Sequence, residues 1–160
     1  MKLTFAGLVA IAALVATSAA HAAPAVPATC LALKSGADMA LGATSSAALA
    51  SVSYPGQADA PGCLISFKGT GAVFGTSFQA VAAKLDAMMQ GRGWAPDINA
   101  AADGPTGTAM GYRKADQAVA VSVNYDTAKG VCREDAPMAS CHPRPAQMLY
   151  TITLGLTPAS

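Results

Sequence analysis

The sequence is poor in the side chains from which most active sites are built. Only two of its 160 residues are histidines, one of them close to the N-terminus, and 12% are charged. It contains no Gly-x-Ser-x-Gly motif for a serine nucleophile and no His-Glu-x-x-His motif for a metalloprotease. The neighbouring carboxylates of Glu134 and Asp135 would point apart rather than act as a paired acid and base. We therefore expect a protein that is not an enzyme and needs no cofactor.

Clustered positive charge is also missing. Ten Lys and Arg residues stand against nine Asp and Glu, and among the basic residues only Arg113 and Lys114 are adjacent. Such a balanced, scattered charge has no long-range attraction for nucleic acid. After the first 22 residues there is no apolar run approaching the ~20 residues of a membrane-spanning helix. The composition thus argues against a nucleic-acid partner and against a membrane anchor beyond the N-terminal segment.

What the sequence does contain begins with the features of an export signal. Lys2 precedes an apolar run over residues 3–15, and the small-residue pattern Ala20-His21-Ala22 follows. A charge, a short apolar core and an Ala-x-Ala site are typical of a cleavable signal peptide. We predict that residues 1–22 are removed and that the protein works in the periplasm of a bacterium or is secreted.

The chain has four cysteines, and an even number is expected of an exported protein. Cysteines pair and stay paired in an oxidising compartment, so two disulfides are predicted. Three connectivities are open to four cysteines. The sequential pairing has the shortest closures, and it would join Cys30 to Cys63 and Cys132 to Cys141. We favour this pairing, although spacing alone does not select it.

Two segments with different patterning follow the signal peptide. Residues 23–62 are rich in Ala, Ser, Gly and Pro without a sustained period, which predicts an N-terminal segment that is only partly ordered. Residues 63–160 carry the regular patterns and are predicted to form one domain. The 138 residues left after cleavage suit a single domain and are too few for two ordinary ones.

The regular patterns of residues 63–160 predict one strand, one helix and three further strands. Period-two alternation begins at Cys63 with Ile65 and Phe67 on one face. A helix is expected to start at a Thr76 cap and to end at Gly91. Its apolar stripe would consist of Phe78, Val81, Leu85 and Met88.

A turn-rich connection is expected over residues 96–107. Alternating strands are then predicted over residues 108–113, 119–125 and 148–156. An antiparallel sheet with one apolar face needs a cover, and the single helix supplies it. The predicted fold class is therefore α+β, with a two-layer, mostly antiparallel sheet in β-α-β-β-β order, covered by one main helix and stapled by disulfides.

The connection over residues 126–147, between the last two strands, is long for a compact domain. Loops of this length are usually functional or tethered. A bond between Cys132 and Cys141 would close about ten residues and stabilise the fold by roughly 2.7 kcal/mol. We interpret the segment as a stapled interaction loop. Its candidate contact residues are Arg133, Glu134, Asp135, Met138, His142 and Arg144.

A metal site is the alternative interpretation of this loop. Two thiolates, a thioether and an imidazole suit Cu(I) or Zn(II). These groups belong to Cys132, Met138, Cys141 and His142. Their spacing matches no compact zinc motif, because there is no Cys-x-x-Cys pair and no second histidine in the loop.

The combined features predict a small, exported bacterial protein that binds a partner in the cell envelope without catalysis. The partner would be a protein, a peptide or an envelope component, and an inhibitor of an extracellular hydrolase that inserts the stapled loop is one concrete version. The alternative function is a periplasmic protein that binds copper or zinc.

Overall fold

The computed structural model describes residues 25–133 and 140–159, so the predicted signal peptide lies outside the described residues. The helices are α1 (Ala28–Leu41), the short α2 (Gly71–Phe74) and α3 (Phe78–Gly91). The strands are β1 (Ser46–Val52), β2 (Ala60–Thr70), β3 (Ala95–Gly104), β4 (Gly107–Lys114), β5 (Gln117–Thr127) and β6 (Met148–Pro158).

The six strands form one antiparallel sheet in the order β1-β2-β6-β5-β4-β3. Helices α1 and α3 share a core with one face of this sheet. The prediction of a two-layer α+β domain with an antiparallel sheet and two disulfides agrees with this arrangement. The described helices include none that is long and apolar enough to cross a membrane.

The central strands carry the core in cross-strand rows. Phe67 of β2 lies opposite Ile152 of β6, which lies opposite Val123 of β5. All three side chains are almost completely buried. Neighbouring side chains on one face of a sheet are the unit of its stabilisation, so these rows connect the strands under the helices.

The structure contains a second long helix in the layer that was predicted to hold one. Cys30, Leu33, Ala37 and Leu41 form the buried side of α1. Two of these four, Cys30 and Ala37, are small and differ little from the residues on the exposed side of the helix. The large apolar side chains of Leu31 and Met39 are exposed, outside the buried stripe. The apolar periodicity of α1 is therefore weak, which explains why its sequence did not indicate a helix. Together with β1, it joins the same sheet and helix layer as the rest of the chain.

The expectation of a turn-rich connection over residues 96–107 is wrong, because most of it forms strand β3. Pro96 and Asp97 disfavour a central strand, but β3 lies at the edge of the sheet, where proline and charge are tolerated. Its pairing with β4 is interrupted by a bulge between Asp97 and Ala102. The loop-forming composition and the edge position are thus compatible.

Helix α3 ends at Gly91 as predicted, but its N-cap and the glycine in the left-handed conformation differ from the prediction. Ser77, rather than Thr76, is the N-cap, and its hydroxyl accepts a hydrogen bond from the Ala80 N–H at 3.2 Å. At the other end the left-handed backbone conformation belongs to Gly93, with φ of 77°, rather than to Gly91. Because the cap alternatives are adjacent hydroxyl residues, the sequence could not separate them.

The sheet face opposite the helices is partly covered by the end of β1, by the chain that follows it and by β3. Val52 packs over Gly155, where a Cβ atom would lie 2.7 Å from a Val52 methyl carbon. Tyr54 and Ala100 pack in the same way over Gly111. These two glycines are therefore required by close approach of the covering side chains.

Replacing Gly111 by alanine should lower the free energy of unfolding by about 1–3 kcal/mol, because the new methyl group would overlap Ala100 and the Tyr54 hydroxyl. Gly91→Ala is the matched control, since nothing lies within 4 Å of its added Cβ atom and alanine favours a helix. Urea denaturation of the three proteins measures both effects. Equal stability of the Gly111→Ala protein and the unaltered protein would contradict this packing.

Candidate binding groove

The structure joins the cysteines in sequential pairs. Cys30 is bonded to Cys63, with Cα atoms 6.2 Å apart, and Cys132 is bonded to Cys141, with Cα atoms 5.6 Å apart. The first bond connects the first turn of α1 to β2 and is completely buried. The second bond closes the long connection between β5 and β6. In the described part of the chain no cysteine is free.

Three of the predicted loop contacts are exposed in the structure, namely Arg133, His142 and Arg144. The Arg144 N–H donates to the side-chain oxygen of Gln147 at 2.8 Å, which anchors the end of the loop. The remaining three, Glu134, Asp135 and Met138, lie outside the described residues. The role of this loop in recognition stays a prediction.

The metal and enzyme interpretations concern the same loop. A bond between Cys132 and Cys141 leaves neither sulfur as a thiolate ligand. Residues 25–133 and 140–159 include no group of three His, Cys, Asp or Glu side chains placed to hold a metal ion. His142 is exposed. Because Met138 is not described, the metal alternative stays a prediction, as does the absence of catalysis.

A groove of about 620 Å³ opens on the helix-covered face of the sheet, beyond the first turn of α1. A row of three lining residues crosses adjacent strands at its base. Leu49 of β1 lies opposite Cys63 of β2, and Cys63 lies opposite Leu156 of β6. The lining residues are Pro27, Thr29, Leu49, Ala50, Ser51, Pro61, Gly62, Cys63, Asp116, Gln117, Leu156, Thr157 and Pro158.

The start of α1 forms one wall of the groove. Pro27 is the N-cap residue, and the helix proper begins at Ala28, short of the end of the sheet. The bond from Cys30 to Cys63 holds this first turn against β2. The side chain of Leu49, beyond the helix, is therefore left 41% exposed. The groove is a consequence of where the helix starts.

A single carboxylate lies at the far end of the groove. Among the described lining residues only Asp116 carries a charge. It belongs to the two-residue turn between β4 and β5, in which Ala115 has a positive φ of 51°. The Asp116 carbonyl accepts a hydrogen bond from the Ala159 N–H at 2.7 Å, which fixes the turn against the end of β6. Its side chain makes no ion pair within the described chain.

The groove combines an apolar floor with one carboxylate and a few hydroxyl and amide groups. Ligand sites in proteins commonly pair a mainly apolar cavity of ~300–1,000 Å³ with a small number of polar groups that fix orientation. The groove has this composition and size. This combination of groups can bind and orient a ligand.

A polar cluster lies on the opposite face of the sheet and holds the bulge of β3. The Tyr54 hydroxyl donates to Asp97 Oδ2 at 2.9 Å, and Arg113 Nε donates to the same oxygen at 2.8 Å. The Arg113 guanidinium also lies 4.9 Å from the centre of the Tyr54 ring. These contacts connect the segment that follows β1, the edge strand β3 and strand β4.

Ionisation in this cluster follows from its contacts. The hydrogen bond from Arg113 and then that from Tyr54 lower the pKa of Asp97 below its ordinary value of 3.8. Burial, reinforced by the neighbouring Asp97 carboxylate, raises the pKa of Tyr54 to about 12. The charged aspartate and the neutral tyrosine are therefore the forms that the fold favours.

Sequence reasoning did not find the groove residues. Leu49 lies among alanines and serines in β1, and Asp116 has the sequence of an ordinary turn residue. The apolar side chains of the floor were predicted in part as core positions of β2 and β6. The groove beside them forms only because α1 starts there, and the sequence did not indicate that helix.

Comparisons with protein-family models, curated proteins and solved structures find no match to this chain.

Replacing Asp97 by asparagine should reduce the dependence of stability on acid. Because the folded pKa of Asp97 is lowered, its contribution is complete above about pH 4 and is lost as pH falls further. Free energies of unfolding measured by denaturant at a series of acidic pH values should therefore decline less steeply in the Asp97→Asn protein. An unchanged acid slope would contradict the role given to the cluster.

Tyr54→Phe is the matched variant, because it keeps the bond between Arg113 and Asp97. Its stability should decline in acid almost as steeply as that of the unaltered protein. As pH rises from 10 to about 12, its stability should decline less, since the raised pKa of Tyr54 stabilises the fold only below that range. Tyr112, whose pKa is also raised by burial, titrates in both proteins, so the difference between them isolates Tyr54.

Proposed function

We propose that this protein is an exported, non-enzymatic binding module of the bacterial cell envelope that holds the apolar part of a partner in the groove. The observation that carries the proposal is the groove beside the first turn of α1, in which Leu49 is exposed next to the buried side chains of Cys63 and Leu156. The N-terminal export pattern and the two disulfides support a location in an oxidising compartment.

Exposed apolar surface extends beyond the groove. Leu31 is 50% exposed and follows Pro27 by four residues, which places it one helical turn along the same side of the helix. Leu49, on the neighbouring strand, is also partly exposed. Contiguous apolar surface on a soluble protein is typical of a site that a partner covers, and burial of such surface contributes ~25 cal/mol per Å².

The charge at the end of the groove defines the polar part of the ligand. The Asp116 carboxylate forms no ion pair with a residue of the described structure. A ligand with an apolar body and a cationic group at one end would match both features. An anionic end would meet the carboxylate and be disfavoured.

Filling the groove should abolish binding of an apolar ligand. Thr29 is exposed on the first turn of α1 and lines the groove, so a tryptophan there would occupy it. Thr29→Trp should weaken binding of the neutral dye Nile red at least tenfold in a fluorescence titration. Ser35→Trp is the matched control, because Ser35 is exposed on the same helix away from the groove. Equal dye binding by the two variants would refute the proposal.

Displacement of the dye tests the charge preference. Decyltrimethylammonium should displace Nile red at lower concentration than decanoate, which has an alkyl chain of similar length and the opposite charge. Because Asp116 is exposed, the preference should be only about two- to fivefold. Asp116→Asn should remove it without altering dye binding. A preference that persists in this variant would exclude Asp116 as its source.

A further inference from the structure

We infer that the partner is an extended peptide that adds a strand to the free edge of β1 and places its amino-terminal residues in the groove. The inference rests on the proposed function and names the class of ligand that the groove receives. It depends on three observations: the difference between the two sheet edges, the continuity of β1 with the groove, and the position of Asp116.

The edge formed by β3 is protected against pairing. It contains Pro96, the charged residues Asp97 and Asp103, and the bulge between Asp97 and Ala102. Proline, charge and bulges are the usual devices by which proteins prevent an edge strand from pairing with another chain. The exposed Ile98, at 84%, lies within this bulge, where the regular ladder is broken.

The edge formed by β1 has none of these devices. Its sequence, Ser-Ala-Ala-Leu-Ala-Ser-Val over residues 46–52, has no charge and no proline, and its pairing with β2 runs without a register shift. Within the described chain its backbone makes no hydrogen bonds beyond those to β2. An edge strand presents a row of unpaired N–H and C=O groups, which an extended peptide backbone matches at each step.

The free edge and the groove are one continuous surface. Leu49, Ala50 and Ser51 of β1 belong to the groove lining. On α1, Asp38 accepts hydrogen bonds from the N–H and hydroxyl of Ser45, the residue before β1, at 3.0 and 2.6 Å. Leu31 lies seven residues before Asp38, on the same side of the helix. Exposed Leu31 and Leu49 therefore flank the position that an added strand would take.

The position of Asp116 gives the direction of the peptide. The groove crosses β1, β2, β6 and β5, or three strand spacings, which is about 14 Å and the length of about four extended residues. A strand antiparallel to β1 meets residues 49–51 near its own start, so the residues before it enter the groove. Its free amino group then lies toward the Asp116 carboxylate, with favourable charge.

A second copy of this chain fits the surface less well. Two β1 strands could pair about Leu49, the middle residue of the strand. However, the chain before β1 is held by the bonds from Ser45 to Asp38 and cannot extend into the neighbouring groove. Such a dimer would leave the groove and Asp116 unfilled, so we favour a separate peptide.

Selection from random twelve-residue peptides with free amino ends, followed by synthesis of the best binder, tests the inference. The selected peptides should have apolar residues among their first four positions. Two variants of the best peptide carry backbone N-methyl groups at alternate residues after the fourth position, one at the odd and one at the even positions. One of the two variants should bind about tenfold or more weakly, because N-methylation removes the N–H donors that pair with β1. Acetylation of the amino end should weaken binding about two- to fivefold.

Two substitutions test which edge of the sheet the peptide binds. Leu49→Lys adds a charge to the free edge and should weaken the peptide at least tenfold. Ile98→Lys, at an exposed apolar residue of the other edge strand, is the matched control and should leave the affinity unchanged. Equal effects of the two substitutions would overturn the inference.

The remaining outcomes separate this inference from the proposed function. If neither of the two N-methylation patterns weakens binding while Thr29→Trp still abolishes it, the groove function stands and strand addition is wrong. If no peptide is selected but decyltrimethylammonium binds, the inference fails alone. If neither binds, both fail. If sedimentation instead shows a dimer that Leu49→Lys dissociates, the edge belongs to a second copy and the peptide inference is overturned.

Discussion

The bond between Cys30 and Cys63 determines where α1 lies on the sheet, and the candidate site depends on that position. The helix has 14 residues, or about 21 Å, whereas β2 has 11 residues and is about 36 Å long. A helix of this length cannot cover the whole strand. Because the bond fixes its first turn at Cys63, the sheet extends beyond the helix at one end, where a groove opens beside exposed Leu49.

The two edges of the sheet have opposite properties, because one is protected against pairing with another chain and the other is free to pair. On one side, the bulge of β3 is closed over Gly111 by Tyr54 and held by Asp97 and Arg113. On the other side, β1 is short, uncharged and regular. Natural proteins rarely leave such an edge without protection. Its position beside an uncovered groove is why we interpret it as a recognition surface.

Patterns with strong contrast predicted their elements well. In β2, β5 and β6, apolar residues alternate with hydroxyl or small residues, because one face meets the helices and the other does not. The sequence patterns of α1 and β1 did not predict these elements, because alanine occupies both buried and exposed positions and the two faces differ little in hydrophobicity. The composition of β3 indicated a loop, and only its edge position permits a strand there. The groove joins residues from four strands and a helix start, so no local pattern could reveal it.

Hydrogen exchange across α1 tests the central claim most directly. In the Cys30→Ala/Cys63→Ala protein, amides of residues 28–41 should exchange at least tenfold faster than in the unaltered protein, because closure of this 33-residue separation is worth about 3–4 kcal/mol and holds the helix start. The Cys132→Ala/Cys141→Ala protein should leave these amides unchanged. Equal protection of α1 in all three proteins would show that the bond does not position the helix, and would contradict the account of how the groove forms.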